Sequence, residues 1–326
     1  MLHATDVTAP TDLLRIADLT RSQLEQILHL ASQMKVRPQK WFKALRGQSL
    51  VCFFEKAATR TRISFAVAAY RLGMLPIILS PEVLQVGRRE ELADTAKALS
   101  SYASAIVVRT LAQATLDQLA EAAQVPVING LSNEHHPCQA LADLLTLRER
   151  FGRLQGLRLA YFGMGTNIAH SLIEAGALAG MRITIAVPPG YQPDRTIELI
   201  AARRAAENGG AINVVTDPFA AIVEADAVYT DVWSLQASTG DQARRPPDLT
   251  PYTINAALLA RARPHAVFMH SLPAHRGEEV TADVIDGPAS VVWTQSANRM
   301  PAEQAAIYLL ISGRWDDRNE EERMLA

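Results

Sequence analysis

The chain has 326 residues, of which 48% are hydrophobic and 20% are charged, a composition typical of a globular protein rather than a disordered or fibrous one. Its formal net charge of -2, with no long basic run, lacks the positive footprint that nucleic-acid-binding proteins need. The longest apolar stretch, residues 65–79, is broken by Arg71 and Pro76, and the N-terminal residues lack the order of a signal peptide. We therefore expect a cytoplasmic protein without membrane or nucleic-acid partners, which binds small molecules and copies of itself.

The first predicted element is a helix. Thr20 and Gln23 have the spacing of a capping box, and apolar residues follow at helical spacing from Leu24 onward. Beyond this helix, short apolar runs alternate with stretches of helical periodicity, which predicts parallel β-strands connected by helices. The predicted strands lie at 50–54, 77–79, 105–108, 125–128, 157–162, 183–187, 212–215, 227–229, 266–269 and 291–293.

This series of strands and helices repeats after a long helix predicted at about 136–151, which is followed by a hinge at 153–156. The predicted fold class is therefore α/β, with two doubly wound parallel-sheet domains joined by long helices. Farther along, the polar segment 234–250 has no apolar period and is predicted to form a mobile surface loop.

The repetition also predicts the domain boundaries. Residues 1–150 are assigned to a first domain and residues 151–297 to a second. A final helix is predicted from about residue 298 to residue 311, and we expect the segment 298–320 to pack back on the first domain.

The first segment that suggests chemistry is 59–62, Thr-Arg-Thr-Arg, which follows a buried strand and opens a helix. Helix starts expose unpaired N–H groups and the positive end of the helix dipole, and arginine meets phosphate in a bidentate fork. On pattern alone, a binding site for a phosphorylated compound and a helix cap with solvated arginines are equally compatible with this segment.

Arg109 directly follows the apolar run 105–108 and so stands at the carboxyl end of a predicted strand, where open α/β sheets bind their ligands. Polarisation of a carbonyl oxygen is one role for this side chain. Pairing with a surface carboxylate is the alternative.

His136, Pro137 and Gln139 open the long helix, and proline suits a first helical position. No second cluster of histidine and cysteine has matching spacing, so hydrogen bonding of His136 and Gln139 to a ligand oxygen is favoured over a metal site. The two cysteines, Cys52 and Cys138, form no disulfide framework and are interpreted as reduced thiols. We expect no metal.

Residues 163–168, Gly-Met-Gly-Thr-Asn-Ile, follow a strand and open a helix, as a dinucleotide-binding fingerprint does. The third glycine of that fingerprint is replaced by Ile168, and no clear acidic partner follows the next strand. The favoured interpretation is that Asn167 holds a substrate carboxylate or amine.

Asp231 follows the run 227–229, and Ser271 and Leu272 follow the run 266–269, so these residues also stand at the carboxyl ends of strands. A Ser-His-Asp triad is conceivable from composition, but the Gly-x-Ser-x-Gly elbow of such hydrolases is missing around Ser271. We expect Asp231 to orient a substrate ammonium, and groups around Ser271 and Leu272 to meet the reacting centre.

In this order, the segments resemble the aspartate and ornithine carbamoyltransferase family, most closely its ornithine branch, from about residue 14 to residue 310. The matching motifs are Phe-Glu-Lys-Ala-Ala-Thr-Arg-Thr-Arg at 54–62, Gly-Arg at 87–88, Asp-Thr-Ala at 94–96, His-Pro-Cys-Gln at 136–139, Asp-Val-Trp at 231–233, His-Ser-Leu-Pro-Ala-His-Arg-Gly-Glu-Glu-Val-Thr at 270–281 and Asn-Arg at 298–299.

The resemblance implies a transferase that moves the carbamoyl group of carbamoyl phosphate to an amine and releases phosphate, with no cofactor. The first domain would bind carbamoyl phosphate and the second the amino acid. The family's pattern implies that the donor is held by Thr59, Arg60, Thr61, Arg109, His136, Gln139 and Arg299. Thr61, Arg109 and His136 would polarise its carbonyl. A homotrimer is also implied, with the loop near Gln85 reaching into a neighbouring active site.

The chain departs from the ornithine branch at four places, three of them on the side that would receive the amine. Ala58 replaces a serine of the phosphate motif, and Ser271 replaces a cysteine thought to help manage the amine proton. Residues 164–166 replace Asp-Gly-Asn, and residues 234–236 lack the branch's Ser-Met-Gly. Because a hydroxyl is far less acidic than a thiol, Ser271 is not an equivalent proton relay.

The leading interpretation is a carbamoyltransferase for the side-chain amine of ornithine or a similar diamino acid. One alternative keeps carbamoyl phosphate but uses a different amine acceptor in specialised metabolism. The other, from a different class, is a homologue that binds its ligand without turnover.

Overall fold

The computed structural model describes residues 11–55, 58–79, 90–233 and 247–315. Packing divides them into two units. The first contains Asp18–Leu131 with short segments from both chain ends, and the second contains Ser132–Arg299 with Arg15–Ala17. Each unit is built on a parallel sheet, which confirms the predicted α/β class.

The first unit alternates helices and strands along the chain. Its elements are α1 (Arg21–Val36), β1 (Ser49–Phe54), α2 (Thr59–Arg71), β2 (Leu75–Leu79), α3 (Leu92–Ser100), β3 (Ala105–Arg109), α4 (Gln113–Ala122) and β4 (Val127–Leu131). The four strands are parallel in the order β2-β1-β3-β4. Thr20 forms the predicted capping box with Gln23 at the start of α1.

The second unit has the same alternation. Its elements are α5 (Pro137–Phe151), β5 (Arg158–Phe162), α6 (Asn167–Ala179), β6 (Arg182–Ala186), α7 (Arg195–Glu207), β7 (Ala211–Val215), α8 (Pro218–Ile222), β8 (Ala227–Thr230), α9 (Ala256–Leu259), β9 (Val267–His270) and α10 (Ala282–Ile285), and α11 (Val292–Ser312) starts in it. Its five strands are parallel in the order β7-β6-β5-β8-β9.

The central strands are buried along almost their whole length, as parallel strands covered on both faces must be. This explains why their sequences are continuous apolar runs rather than alternating ones. The two cysteines belong to these interiors. Cys52 and Cys138 are buried and are not joined in a disulfide, and burial raises the pKa of Cys52 far above its ordinary value.

Strand order places a switch point in each sheet. The chain runs from β1 outward to β2 and then returns to the other side of β1 with β3, and it does the same around β5 with β6 and β8. Open α/β sheets bind ligands outside the carboxyl ends of the strands at such points. The two places of interest are therefore the ends of β1 and β3 in the first unit and of β5 and β8 in the second.

One predicted strand is wrong. Residues 291–293 do not form a strand. Pairing with the sheet is limited to a bridge between Ser290 and Phe268, in which the Phe268 N–H donates to the Ala289 carbonyl and the Val291 N–H donates to the Phe268 carbonyl. The chain then turns into α11 at Val292, six residues before the predicted helix start at 298. A three-residue apolar run is equally compatible with the first turn of a buried helix.

Part of the predicted surface loop 234–250 lies outside the described residues, and its last residues begin the short helical turn Pro247–Tyr252. Among the helices that can be described, none combines the length and the apolar character needed to cross a membrane.

Candidate active site

The predicted phosphate segment stands where the strand order requires it. β1 ends at Phe54, and α2 begins at Thr59 with Ala58 as its N-cap. An alanine side chain has no oxygen, so Ala58 makes no capping hydrogen bond to the first turn. Thr59 and Arg60 are exposed and Thr61 is buried. The first turn of α2 thus offers N–H groups, hydroxyls and a guanidinium to an anion.

Arg109 is the last residue of β3 and lies in register with Phe54 at the end of β1. Its Nη1 donates a hydrogen bond to Thr61 Oγ1 over 3.4 Å, which joins two of the predicted residues. The Glu55 carboxylate reinforces this arrangement by accepting hydrogen bonds from the Thr110 hydroxyl at 2.7 Å and the Leu111 N–H at 2.9 Å. A guanidinium and a hydroxyl therefore converge at the switch point of the first sheet.

In the second unit, His136 is the N-cap of α5 and Gln139 lies in its first turn, both buried. The backbone N–H of His136 donates a hydrogen bond of 2.7 Å to Ser171 Oγ, which fixes the start of α5 against α6. Pro137 occupies the first helical position, as its missing N–H and preset φ favour.

Asn167 opens α6 just beyond the end of β5. Its Nδ2 donates a hydrogen bond of 2.6 Å to the Ser132 carbonyl. This bond uses one of the two amide N–H groups. The amide also carries a second N–H and a carbonyl oxygen, so its chemistry suits a ligand carboxylate as well as a ligand amine.

Asp231 follows β8 and is buried, and it accepts a hydrogen bond from the Ser271 hydroxyl. Burial raises the pKa of Asp231, and the nearby His270 and the hydrogen bond from Ser271 offset part of that rise. The carboxylate is therefore held in a setting where a cationic or hydrogen-bonding partner would stabilise its ionised form.

The loop after β9 is fixed from two sides. Nε2 of the buried His270 lies 3.2 Å from Glu279 Oε1, and the Leu272 N–H donates to His270 Nδ1 over 2.8 Å. Leu272 has a φ of 58°, a left-handed conformation that is costly for a residue other than glycine. Such strain is characteristic of functional loops.

The two glycines in the segment 163–168, which partly matches a dinucleotide fingerprint, are explained by packing within the chain. A Cβ atom on Gly163, whose φ is +134°, would lie 2.7 Å from Trp233 Nε1. A Cβ atom on Gly165 would lie 2.1 Å from the backbone nitrogen of Pro193. Both positions need glycine because other parts of this chain pack directly against them.

Sequence reasoning missed one residue of the second unit. Asp143 is 1% exposed, and its carboxylate accepts hydrogen bonds from Gln139, Gln295 and Tyr229. Burial raises the pKa of Asp143 to about 7, although these hydrogen bonds and the charge of Arg299 act in the opposite direction. The only local signal was that Asp143 lies four residues after Gln139, on the same side of the helix, and this spacing does not show that the carboxylate is buried.

The remaining predicted residues divide into two groups. Arg299 is buried in α11, where its charge acts on Asp143. Gln85 and the segment 234–236 lie outside the described residues.

One cluster in the described ranges has the composition of a metal site. His275, Glu278 and Glu279 offer ligand atoms within 4.8 Å of one another. Glu279 is already engaged, because its Oε1 pairs with His270 and accepts from the His275 backbone N–H. The expectation that no metal takes part stays a prediction.

Comparison with known proteins gives two domain matches. Residues 11–149 match the carbamoyl-P binding domain of aspartate/ornithine carbamoyltransferase, and residues 155–310 match its Asp/Orn binding domain. The chain belongs to the aspartate/ornithine carbamoyltransferase family. The resemblance inferred from the motifs is thereby confirmed, as is the enzyme class.

Relatives within the carbamoyltransferase family are similar over almost the full chain. An ornithine carbamoyltransferase of Thermococcus kodakarensis is 45% identical over 307 residues, covering 94% of this chain and 98% of the relative. One of Anoxybacillus flavithermus is 45% identical over 302 residues, covering 92% and 96%. The solved structure of ornithine carbamoyltransferase from Pyrococcus furiosus has a TM-score of 0.90 at 42% identity, covering 95% of this chain and 99% of that one.

Proposed function

We propose that this carbamoyltransferase moves the carbamoyl group of carbamoyl phosphate to the side-chain amine of ornithine and releases phosphate. The observation that carries the proposal is the 45% identity, across more than nine-tenths of each chain, to relatives named ornithine carbamoyltransferase. Both family domains are matched, so the similarity includes the half that would bind the acceptor as well as the half that would bind the donor.

On the donor side, the first turn of α2 binds the phosphate through Thr59, Arg60 and Thr61. Arg109 directs its guanidinium to the same end of the sheet, where it already contacts Thr61. A carbonyl oxygen placed there receives donors that stabilise negative charge as it develops. Residues 1–150 are, in this proposal, the carbamoyl phosphate-binding domain, and the segment 298–320 packs back on it.

His136, Gln139 and Arg299 are further contacts of carbamoyl phosphate in this proposal. His136 joins Thr61 and Arg109 in polarising the carbonyl, and Gln139 and Arg299 contact the ligand. The family's His-Pro-Cys-Gln and Asn-Arg motifs, present here at 136–139 and 298–299, support the assignment.

On the acceptor side, Asp231 and Asn167 hold the α-amino acid end of ornithine, and residues 151–297 form the amino acid domain. Ser271 and Leu272 lie next to the reacting amine. The unprotonated amine nitrogen attacks the carbonyl carbon, the tetrahedral intermediate expels phosphate by breaking the carbon–oxygen bond, and the departing phosphate takes up the amine proton.

A second candidate keeps the donor chemistry and changes the amine. It is favoured by residues 164–166, which differ from the Asp-Gly-Asn of the ornithine branch, and by Ser271 in place of a cysteine. Since Ser271 is engaged with Asp231, the substitution lies at the acceptor side of the site.

The protein is further proposed to act in the cytoplasm as a homotrimer in which Gln85 reaches a neighbouring active site. An exposed apolar row on α2 supports self-association. Ile63, Val67 and Tyr70 recur at helical spacing and are 59%, 36% and 65% exposed.

The test is to incubate the purified protein with carbamoyl phosphate and a panel of amines, and to follow phosphate release and product identity. Fast, saturable formation of citrulline from ornithine is expected. Turnover with another amine only would replace ornithine with the second candidate. Binding of carbamoyl phosphate without turnover on any amine would contradict both transferase candidates and would indicate a homologue that only binds its ligand.

A further inference from the structure

We infer that Asp143 is a positioning residue that fixes the amide of Gln139 with its carbonyl oxygen turned toward the carbamoyl group. The inference rests on the proposed function, because Gln139 is a ligand contact only if carbamoyl phosphate binds there. Asp143 itself is not proposed to touch either substrate.

The geometry around one carboxylate oxygen carries the argument. Asp143 Oδ1 accepts from Gln139 Nε2 at 2.8 Å and from Gln295 Nε2 at 2.7 Å. The other oxygen, Oδ2, accepts from the Tyr229 hydroxyl at 3.1 Å. Oδ1 accepts both bonds, and a glutamine side chain donates only through its NH₂ group, so each glutamine presents that group to Asp143 and turns its own oxygen away.

The oxygen that is turned away differs between the two glutamines. Gln295 Oε1 accepts a hydrogen bond of 2.9 Å from the backbone N–H of His270, at the start of the loop that carries Ser271. Gln139 Oε1 is buried and has no hydrogen-bond partner among the residues that the structure describes. Buried acceptors without a donor are uncommon in folded proteins, and this one suits an N–H donor brought by a ligand.

The chemistry of the donor substrate, carbamoyl phosphate, matches Gln139 Oε1. Its carbamoyl end carries an NH₂ group, whereas its phosphate end carries only oxygens that accept hydrogen bonds. Gln139 in the observed orientation therefore attracts the carbamoyl end, and a reversed amide would present its own NH₂ to another NH₂. Asp143 in this way selects which end of the substrate lies beside α5.

The decisive variants separate the two carboxylate oxygens. Asp143→Ala removes the acceptor of both amides, and we expect the KM for carbamoyl phosphate to rise about tenfold or more, a typical loss for one hydrogen-bonding group. Asp143→Asn keeps Oδ1 for the glutamines and points its NH₂ at Tyr229, whose hydroxyl can accept as well as donate. For this variant we expect a KM within about threefold of wild type.

The matched control is Tyr229→Phe, which removes a donor from the same carboxylate without touching Oδ1. It should lower stability to denaturant while leaving the KM for carbamoyl phosphate unchanged. If Asp143→Ala does not fold, Asp143→Ser takes its place, since its hydroxyl is too short to hold both amides. A rise in KM for Tyr229→Phe as large as for Asp143→Ala would indicate a structural role only.

A double-mutant cycle with Gln139→Ala distinguishes this inference from the proposed function. If Asp143 acts through Gln139, Asp143→Ala adds no further rise in KM once Gln139 is alanine. If Gln139→Ala raises KM and the Asp143 variants leave it unchanged, or the two effects add, the positioning role is wrong and the donor site stands. If Gln139→Ala itself leaves the affinity for carbamoyl phosphate intact, the proposed donor contact fails first.

Discussion

The hydroxyl of Ser271 donates a hydrogen bond to the carboxylate of Asp231, and the two residues follow the neighbouring parallel strands β9 and β8. Asp231 is buried, and the hydrogen bond from Ser271 is one of the few contributions that lower its pKa against the effect of burial. The serine therefore supports the ionised form of the aspartate, a task that a hydroxyl performs without being an acid itself.

Ser271→Ala removes that support. The pKa of Asp231 should rise further, so the ionised carboxylate forms only at higher pH. The acidic limb of the pH profile of kcat/KM for the amine should therefore shift to higher pH. At neutral pH we expect a loss of about tenfold in kcat/KM for the amine with little change in the KM for carbamoyl phosphate. Steady-state kinetics across pH provide the measurement.

Ser290→Ala is the matched control, because Ser290 lies in the same unit and its hydroxyl has no hydrogen-bond partner among the described residues. It should leave the pH profile unchanged. A normal profile for Ser271→Ala would mean that the hydrogen bond to Asp231 has no part in turnover.

Arg60 lies at the exposed first turn of α2, where its guanidinium can reach an anion held by the helix start. Arg60→Ala should weaken carbamoyl phosphate binding by about 1.5–3 kcal/mol, the typical value of a charge-assisted hydrogen bond. Titration calorimetry with carbamoyl phosphate measures the loss. Arg71→Ala, at the opposite end of the same helix, serves as the control, and equal losses for both variants would point to net charge rather than contact.

Ala58→Ser restores the residue that the family's phosphate motif has at this position. As the N-cap of α2, a serine can accept a hydrogen bond from the first turn, which should raise stability by about 1 kcal/mol. Its hydroxyl also adds a donor to the phosphate site, so the KM for carbamoyl phosphate should fall a few-fold. Chemical unfolding and steady-state kinetics measure the two effects separately.

The control for this substitution is available in the same unit. Ala112 is the N-cap of α4 and likewise makes no side-chain capping bond. Ala112→Ser should give the gain in stability without the fall in KM. If Ala58→Ser behaves in the same way, position 58 acts only as a helix cap.

Asp143 should make stability depend on pH. Burial raises its pKa from 3.8 to about 7 in the folded protein, so the unfolded chain loses this proton first as pH rises. The contribution of Asp143 to the free energy of unfolding is therefore greatest at low pH, decreases as pH rises toward about 7, and levels off above it.

Asp143→Asn cannot ionise and should lack this dependence. The unfolding free energy of the variant, minus that of wild type, is expected to increase as pH rises through that window, measured by urea unfolding at several pH values. A difference that stays constant with pH would show that the pKa of Asp143 is the same in the folded and unfolded chain, which would contradict the rise caused by burial. The expected pH dependence would mean that ionisation of the side chain that orients Gln139 lowers the stability of the protein.

Short apolar runs and the polar residues that follow them predicted most of the fold and the strand ends at which the candidate site residues lie. The run before Thr59 and the run before Arg109 identify strand ends directly, and parallel strands bring such ends together at one edge. The run at 291–293 was wrongly predicted as a strand, because three apolar residues do not distinguish a strand from the start of a helix. The Val291 N–H does donate to the Phe268 carbonyl, but the chain enters α11 at the next residue.

The polar network around Asp143 was out of reach of such signals. Gln139 lies one helical turn away from Asp143, but Gln295 is separated from it by 152 positions, and nothing in the spacing of two distant residues indicates a shared hydrogen bond. Burial of Asp143 was equally hidden, since a lone carboxylate on a helix is usually exposed. Such networks depend on the packed arrangement of several elements.

Gly163 and Gly165 have a consequence for how such sequences are interpreted. In a dinucleotide-binding protein, glycines at this turn leave room for a pyrophosphate to approach the backbone. Here, the same absence of side chains admits the indole of Trp233 and the backbone at Pro193. A search that relies on glycine spacing after a strand would select this chain as a dinucleotide-binding protein. Its glycines at 163 and 165 are explained instead by the indole and the backbone that pack against them. Substitution of Gly163 should therefore displace Trp233, and substitution of Gly165 should displace the turn at Pro193.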